Sequence, residues 1–261
     1  MVLLKVKCPP ELRKATIAVR LSTSSPTCFV DPNEEGSDHP FQIVLSLRIK
    51  FSTQPGRAIT ILTRHSVFEQ SEPGAGFDIL SRNTFTALTS TTDSSRSIHL
   101  GNLMPHYVWS SQAKPLDLKE RYGGEGELLT IPADGTEVQI RHDMPISRIL
   151  LREPSWSRDD LRSGESFRFR MNPAYLVTSW WCWGDLEGEL KGKKLSQWQS
   201  GINPSRAERP SEEKLESGEW VVGERLAGLA FEDEGGEVEF RIQGVEESKQ
   251  SEVGDLDRSV V

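Results

Sequence analysis

Three cysteines in 261 residues, Cys8, Cys28 and Cys182, are too few and too widely spaced for a disulfide framework or a zinc cluster. Long apolar runs are missing too. Nowhere do about 18 apolar residues follow one another, which leaves no candidate membrane helix. The opening Met1-Val-Leu-Leu is too short for the apolar core of a signal peptide. The expectation is a soluble, cytoplasmic protein. Positive charge is scarce: 31 Lys and Arg face 39 Asp and Glu, a net of −8. That balance argues against nucleic acid or an anionic lipid surface as partner. The deficit is local, since residues 232–261 hold ten acids and three bases and the first 231 carry only −1.

Motifs of common chemistries are lacking as well. HExxH, GxSxG and any Cys/His cluster are absent. Gly74-Ala-Gly76 and Gly123-Gly-Glu-Gly126 lack the strand-to-helix setting and the third glycine of a dinucleotide loop. Neither a cofactor nor a metal is expected. Cys182, between two tryptophans with no nearby cation, reads as an inert buried thiol.

What is present is a period of two. In residues 41–51 every odd position is apolar (Phe41, Ile43, Leu45, Leu47, Ile49, Phe51), and every even one but Val44 is polar. Strands throw successive side chains to opposite faces, so this is a long strand with one buried side running through to Phe51. Shorter copies fall at 17–22, 138–141, 167–171 and 238–243, with less regular candidates at 58–64, 77–82, 84–90, 96–100 and 177–184. Pro132-Ala-Asp-Gly135 predicts a hairpin joining 127–131 to 137–142. No 12-residue window carries an apolar stripe at helical spacing. Ser157 to Arg162 is the one helical turn expected, with Ser157 as its cap.

Many short strands between Gly/Pro turns indicate an all-β fold, an antiparallel immunoglobulin-like β-sandwich, with a closed β-barrel as the alternative. A chain this long buries about three quarters of its extended surface, so its core needs neither disulfide nor metal. The reading is one domain over 1–243, with a mobile loop near 191–218 and a disordered acidic tail at 244–261. The loop follows from composition, its large apolar residues being only Leu195, Trp198, Ile202 and Leu215.

Leu129-Thr-Ile-Pro-Ala-Asp-Gly135, Ser163-Gly-Glu-Ser-Phe-Arg-Phe169, Trp180-Trp-Cys-Trp-Gly184 and Val238-Glu-Phe-Arg-Ile242 occur in that order. The series, spanning roughly Thr16 to Ile242, resembles uncharacterised β-sandwich proteins of filamentous fungi. The resemblance implies a scaffold of turn glycines and core aromatics and transfers no functional residue. Some proteins of that kind belong to fungal secondary metabolism, which keeps an enzyme in view.

Two functions follow as expectations. The first is a binding protein for a small hydrophobic or aromatic molecule, or for a partner. Its ligand-binding candidates are Trp180, Trp198, Tyr107 and Arg141. Alternation sends Trp181 and Trp183 to one face and Trp180, with Thr178 and Cys182, to the other. Trp180 then either offers an open indole for stacking or packs beneath 191–218. Arg141 would join Arg168 and Arg170 in a positive patch, or else belong to a polar outer face balanced by acids such as Glu137. The second function is a cofactor-independent cyclase or isomerase acting on a hydrophobic molecule. It would move a proton through His65, His106 or His142, since imidazole titrates near neutrality. His106 and Tyr107 follow Pro105 in a loop, and His142 is assigned to the polar phase of its strand. The enzyme predicts a closed apolar pocket reached by one of these imidazoles; the binding protein predicts shallow grooves.

Overall fold

The computed structural model describes residues 7–30, 41–70, 79–101, 116–122, 127–144, 161, 163–201 and 207–244. Period-two segments become strands of four sheets. The first sheet holds β1 (Ala15–Thr23), β3 (Gln42–Ser52), β8 (Val138–Asp143) and β13 (Leu229–Asp233), in the order β13-β1-β3-β8. The second holds β2 (Thr27–Val30), β5 (Leu88–Ser90), β6 (Ser97–Ile98), β9 (Ser166–Arg170) and β14 (Glu237–Gly244), in the order β2-β14-β9-β5-β6. The third is β10 (Trp181–Trp183), β4 (Ile59–Leu62) and β7 (Leu128–Ile131), and the fourth pairs β11 (Lys194–Gln199) with β12 (Trp220–Gly223). Among the described residues there are two short α-helices, α1 (Leu118–Tyr122) and α2 (Glu212–Glu216). The fold of the described residues is all-β, with no closed barrel. No helix among the described residues is long and apolar enough to cross a membrane.

One connected core draws on three sheets. Ile17, Val19 and Leu21 of β1 meet Ile43, Leu45 and Leu47 of β3, with Phe167 and Phe169 of β9, Phe240 of β14, and Ile59, Ile61, Trp181 and Trp183 of the third sheet. A second, smaller cluster lies on the other side of that third sheet: Leu62, Leu118, Trp180, Cys182, Leu190 and Leu195. The Trp alternation therefore divides the two cores.

Several expectations change. The sheets are not wholly antiparallel: β13 runs parallel to β1, β14 to β2, and β11 to β12. A parallel pair needs a long crossover and leaves no local trace in the sequence. The predicted hairpin is a corner instead. β7 pairs with β4 and β8 with β3, so Pro132 to Gly135 carries the chain between sheets. The turn is set by Gly135 at φ 84° and by Asp134 Oδ1 accepting from Thr136 N at 2.9 Å. Residues 79–82 form a 3₁₀ turn rather than a strand. The stretch 191–218 contains β11 and α2, and buries Leu195, Ser196 and Gln199. Few apolar residues suffice there because β11 lies on the second core and its Leu195 N–H donates to buried Asp117 Oδ1 at 2.9 Å. The tail beyond 244 and, apart from Leu161, the expected turn at 157–162 lie outside the described residues.

Candidate functional site

The period-two reading of β3 fails at one residue, and the failure makes a site. Ile17 pairs with Ile49, but Thr16 pairs with Phe51, so Lys50 is an extra residue in the ladder. A β-bulge sets two residues opposite one and re-aims the side chains that follow. Phe51 therefore leaves the buried phase and stands 47% exposed. Of the large apolar side chains described, only Phe51 and Phe29 are exposed.

Around Phe51 lies an open groove of about 270 Å³, lined by Pro10, Arg13, Thr16, Lys50, Phe51 and Glu232. Its first wall is the 3₁₀ turn Pro10–Leu12, closed by Arg13 N donating to Pro10 O at 3.3 Å. Just past the turn, Lys14 is held by both of its backbone groups: its N–H donates to Gly228 O and its carbonyl accepts from Thr53 N, each at 2.8 Å. Glu232 arrives on β13, in register with Ala18.

The charges beside the groove form one chain. Arg13 Nη1 is 3.7 Å from Glu232, Lys50 Nζ is 2.9 Å from both Glu232 and Glu234, and Arg48 Nη2 is 2.8 Å from Glu234. Glu232 and Glu234 hold the Lys50 ammonium above its ordinary range. Hydrogen bonding to Lys50 in turn keeps the Glu234 carboxyl low.

The histidines are used differently from expectation. His142 shares the phase of Val138 and Ile140, not of Arg141, and is buried. It pairs with Ile43, its Nε2 lies 3.0 Å from Val67 O, and its ring meets Phe85 edge-on at 6.3 Å. Its imidazole is part of the packing. His65 occupies a left-handed turn position, φ 66°, where its backbone N–H donates to Glu69 Oε2. That carboxylate also holds Arg82, and both ionic side chains are largely buried. Burial depresses the His65 imidazole to about 4, more than neighbouring Glu69 restores, so it is neutral at pH 7. Asn83, just past Arg82, is the other described non-glycine residue with positive φ, at 59°. His106 and Tyr107 lie outside the described residues.

The other ligand candidates are also occupied. Trp180 is 1% exposed and packs beneath β11, so it offers no open stacking face. Arg209 lies over the Trp198 ring, 5.1 Å from its centroid. Arg141 spans two side-chain oxygens, of Gln42 at 3.3 Å and Gln139 at 2.8 Å. Its sheet neighbour Arg20 pairs with Glu137 at 2.8 Å, and Arg168 lies 3.7 Å from Glu237. The outer faces are thus balanced rather than uniformly positive.

Burial pushes the Cys28 thiol up to about 12 and raises Cys182 further, so neither supplies a thiolate nucleophile. Among the described residues no group of three His, Cys, Asp or Glu is placed to hold a metal ion. The groove was missed because a bulge is a property of pairing. Nothing in Arg48-Ile-Lys-Phe-Ser52 marks Lys50 as the extra residue. No family model, curated protein or solved structure matches this chain.

Proposed function

We propose that this protein is an immunoglobulin-like β-sandwich that binds a small, largely apolar molecule in the groove over Phe51. One observation carries the reading: the β3 bulge turns a large aromatic out of the core and into a concave surface walled by Pro10 and Thr16. An aromatic ring in a concavity offers a flat apolar contact and sheds its hydration when covered. At interior packing density the groove takes about 200 Å³ of guest, roughly eleven heavy atoms. At about 0.3 kcal/mol per heavy atom, such a guest binds with about 3 kcal/mol, a dissociation constant of a few millimolar.

The test is a titration of the whole chain with 3-phenylpropanamide, a neutral probe of that size, followed by amide NMR. Shifts are expected at residues 10–16, 49–52 and 231–233, and Phe51→Ser should abolish them. Absence of shifts at the solubility limit of the probe, or shifts that survive Phe51→Ser, would refute the groove.

A second reading, cofactor-independent proton transfer, has the His65 turn on its side. Two strained non-glycine residues, His65 and Asn83, flank the buried Glu69–Arg82 pair, and such strain gathers at functional sites. It would gain support from a co-purifying hydrophobic metabolite that the wild type converts and His65→Asn does not. A His65→Asn protein that still converts it would remove this reading.

A further inference from the structure

Resting on the groove reading, we infer that the guest is a monocarboxylate, a small free acid whose apolar body covers Phe51 and whose carboxylate completes the ion chain beside it. The chain alternates Arg13, Glu232, Lys50, Glu234 and Arg48. Three cations against two anions leave one positive charge in excess. Two of the three cations, Arg13 and Lys50, line the groove together with a single acid, Glu232.

Position decides where an added anion gains most. At the far end Arg48 holds Glu234 closely, at 2.8 Å, and Glu234 is shared with Lys50. At the groove end the contact is loose: Arg13 stands 3.7 Å from Glu232, beyond hydrogen-bond reach. The Arg13 Nε is buried and without a hydrogen-bond partner, so it is the terminal Nη nitrogens that are left for an added anion. A carboxylate in the groove meets the Arg13 fork and the Lys50 ammonium side by side, a charge-assisted geometry to which guanidinium is suited.

The number of charges limits the class. A monoanion brings the chain to neutrality, whereas a phosphate monoester would overshoot it. The groove volume sets the body at a phenyl-sized group with a short linker. A free small acid fills it; the end of a polypeptide would leave most of its own length outside.

The experiment compares 3-phenylpropionate with 3-phenylpropanamide, isosteric and differing by the charge, on the intact chain by amide NMR at pH 7. The acid should bind three- to tenfold more tightly at low salt, and that ratio should shrink as NaCl rises, because the cations are part-exposed and screened. Lys50→Gln should bring the ratio close to one, with its amide spectrum outside the groove reporting an intact fold. Equal affinity of acid and amide for the wild type, or an unchanged ratio in Lys50→Gln, overturns the carboxylate while leaving the groove standing. Binding of neither probe overturns both. Tighter binding of acetyl-Gly-Gly-Phe than of 3-phenylpropionate reassigns the carboxylate to a chain terminus and overturns the free acid.

Discussion

Gly223→Ala sets two physical effects in opposition. Gly223 lies in β12, and its φ is outside the left-handed range, so its backbone accepts alanine. On backbone grounds alone alanine should stabilise by about 0.4–1 kcal/mol, through lost freedom of the unfolded chain. Space gives the opposite sign. A Cβ there would stand 2.3 Å from Trp180 Nε1, 2.6 Å from Trp180 Cδ1 and 2.9 Å from Gln199 Cβ.

Neither neighbour yields easily. Trp180 is wedged in the second core, and Gln199, also buried, donates from Nε2 to Ser179 O at 3.1 Å. Overpacking of this kind costs about 2–3 kcal/mol. The balance is a loss of about 1–2 kcal/mol, or about 3–6 °C in Tm for a chain of this size. Urea and thermal unfolding, followed by tryptophan fluorescence, would measure it. In a Trp180→Phe background the indole nitrogen is gone, and Gly223→Ala should cost at least about 1 kcal/mol less. A Gly223→Ala protein as stable as the wild type, or an equal cost in both backgrounds, would refute the close packing of Trp180 under β11 and β12.

Other substitutions separate structure from surface. Glu165, 4% exposed at its side chain, takes Arg96 Nε at 2.9 Å and Nη2 at 3.0 Å. Glu165→Ala should cost about 3 kcal/mol in urea unfolding by removing both of these hydrogen bonds to the largely buried Arg96; a loss under about 1 kcal/mol would mean the pair is solvated. Phe51→Ser should cost about 1–2 kcal/mol, its ring being about half in water, against about 3–5 kcal/mol for the fully buried Phe167→Ala. Comparable losses at both positions would place Phe51 back in the core. For His65, the folded state disfavours the proton, so above the unfolded value near 6.5 both states are neutral and stability is flat. As pH falls from about 6.5 towards about 4 the unfolded chain takes up the proton first, and stability is lost. His65→Asn tolerates the left-handed turn and should remove that part of the slope; an NMR titration midpoint of His65 near 6.5 would contradict this.

The sequence made some of this legible for identifiable reasons. Where a strand has one face in the core and one in water, as in β9 and β14, alternation reports it directly; in β3 it does not, since Val44 and Ser46 are buried along with Ile43, Leu45 and Leu47. The same rule separated Trp181 and Trp183 from Trp180 and Cys182, and the structure assigns the pairs to different cores. What stayed hidden depends on partners. His142 follows the parity of Val138 and Ile140, and the polar character of its side chain masks that parity in the sequence. β11 has one core leucine and is held by backbone pairing to β12 and by Asp117, which composition cannot express. The parallel strands β13 and β14 join β1 and β2 from the opposite end of the described chain. Their places depend on long-range closure, not on any local pattern.

The ion chain could be explained without a ligand. Among the described residues β13 is one of two edge strands of its sheet, and edge strands are commonly protected from pairing with other chains by charged side chains. Glu232, Asp233 and the cations around them serve that purpose whether or not anything binds. Edge protection, however, asks for polarity along β13 itself, whereas the bulge that exposes Phe51 lies in β3, two strands in from that edge. Here the extra residue is Lys50, already charged, and the residue it turns outward is a phenylalanine in a concavity. That choice adds apolar surface to the face that protection would keep polar. Phe51 is thus the feature that edge protection leaves unexplained and that a seated apolar guest accounts for. The two roles are compatible, because the cations that neutralise the edge acids are the ones placed to receive a carboxylate.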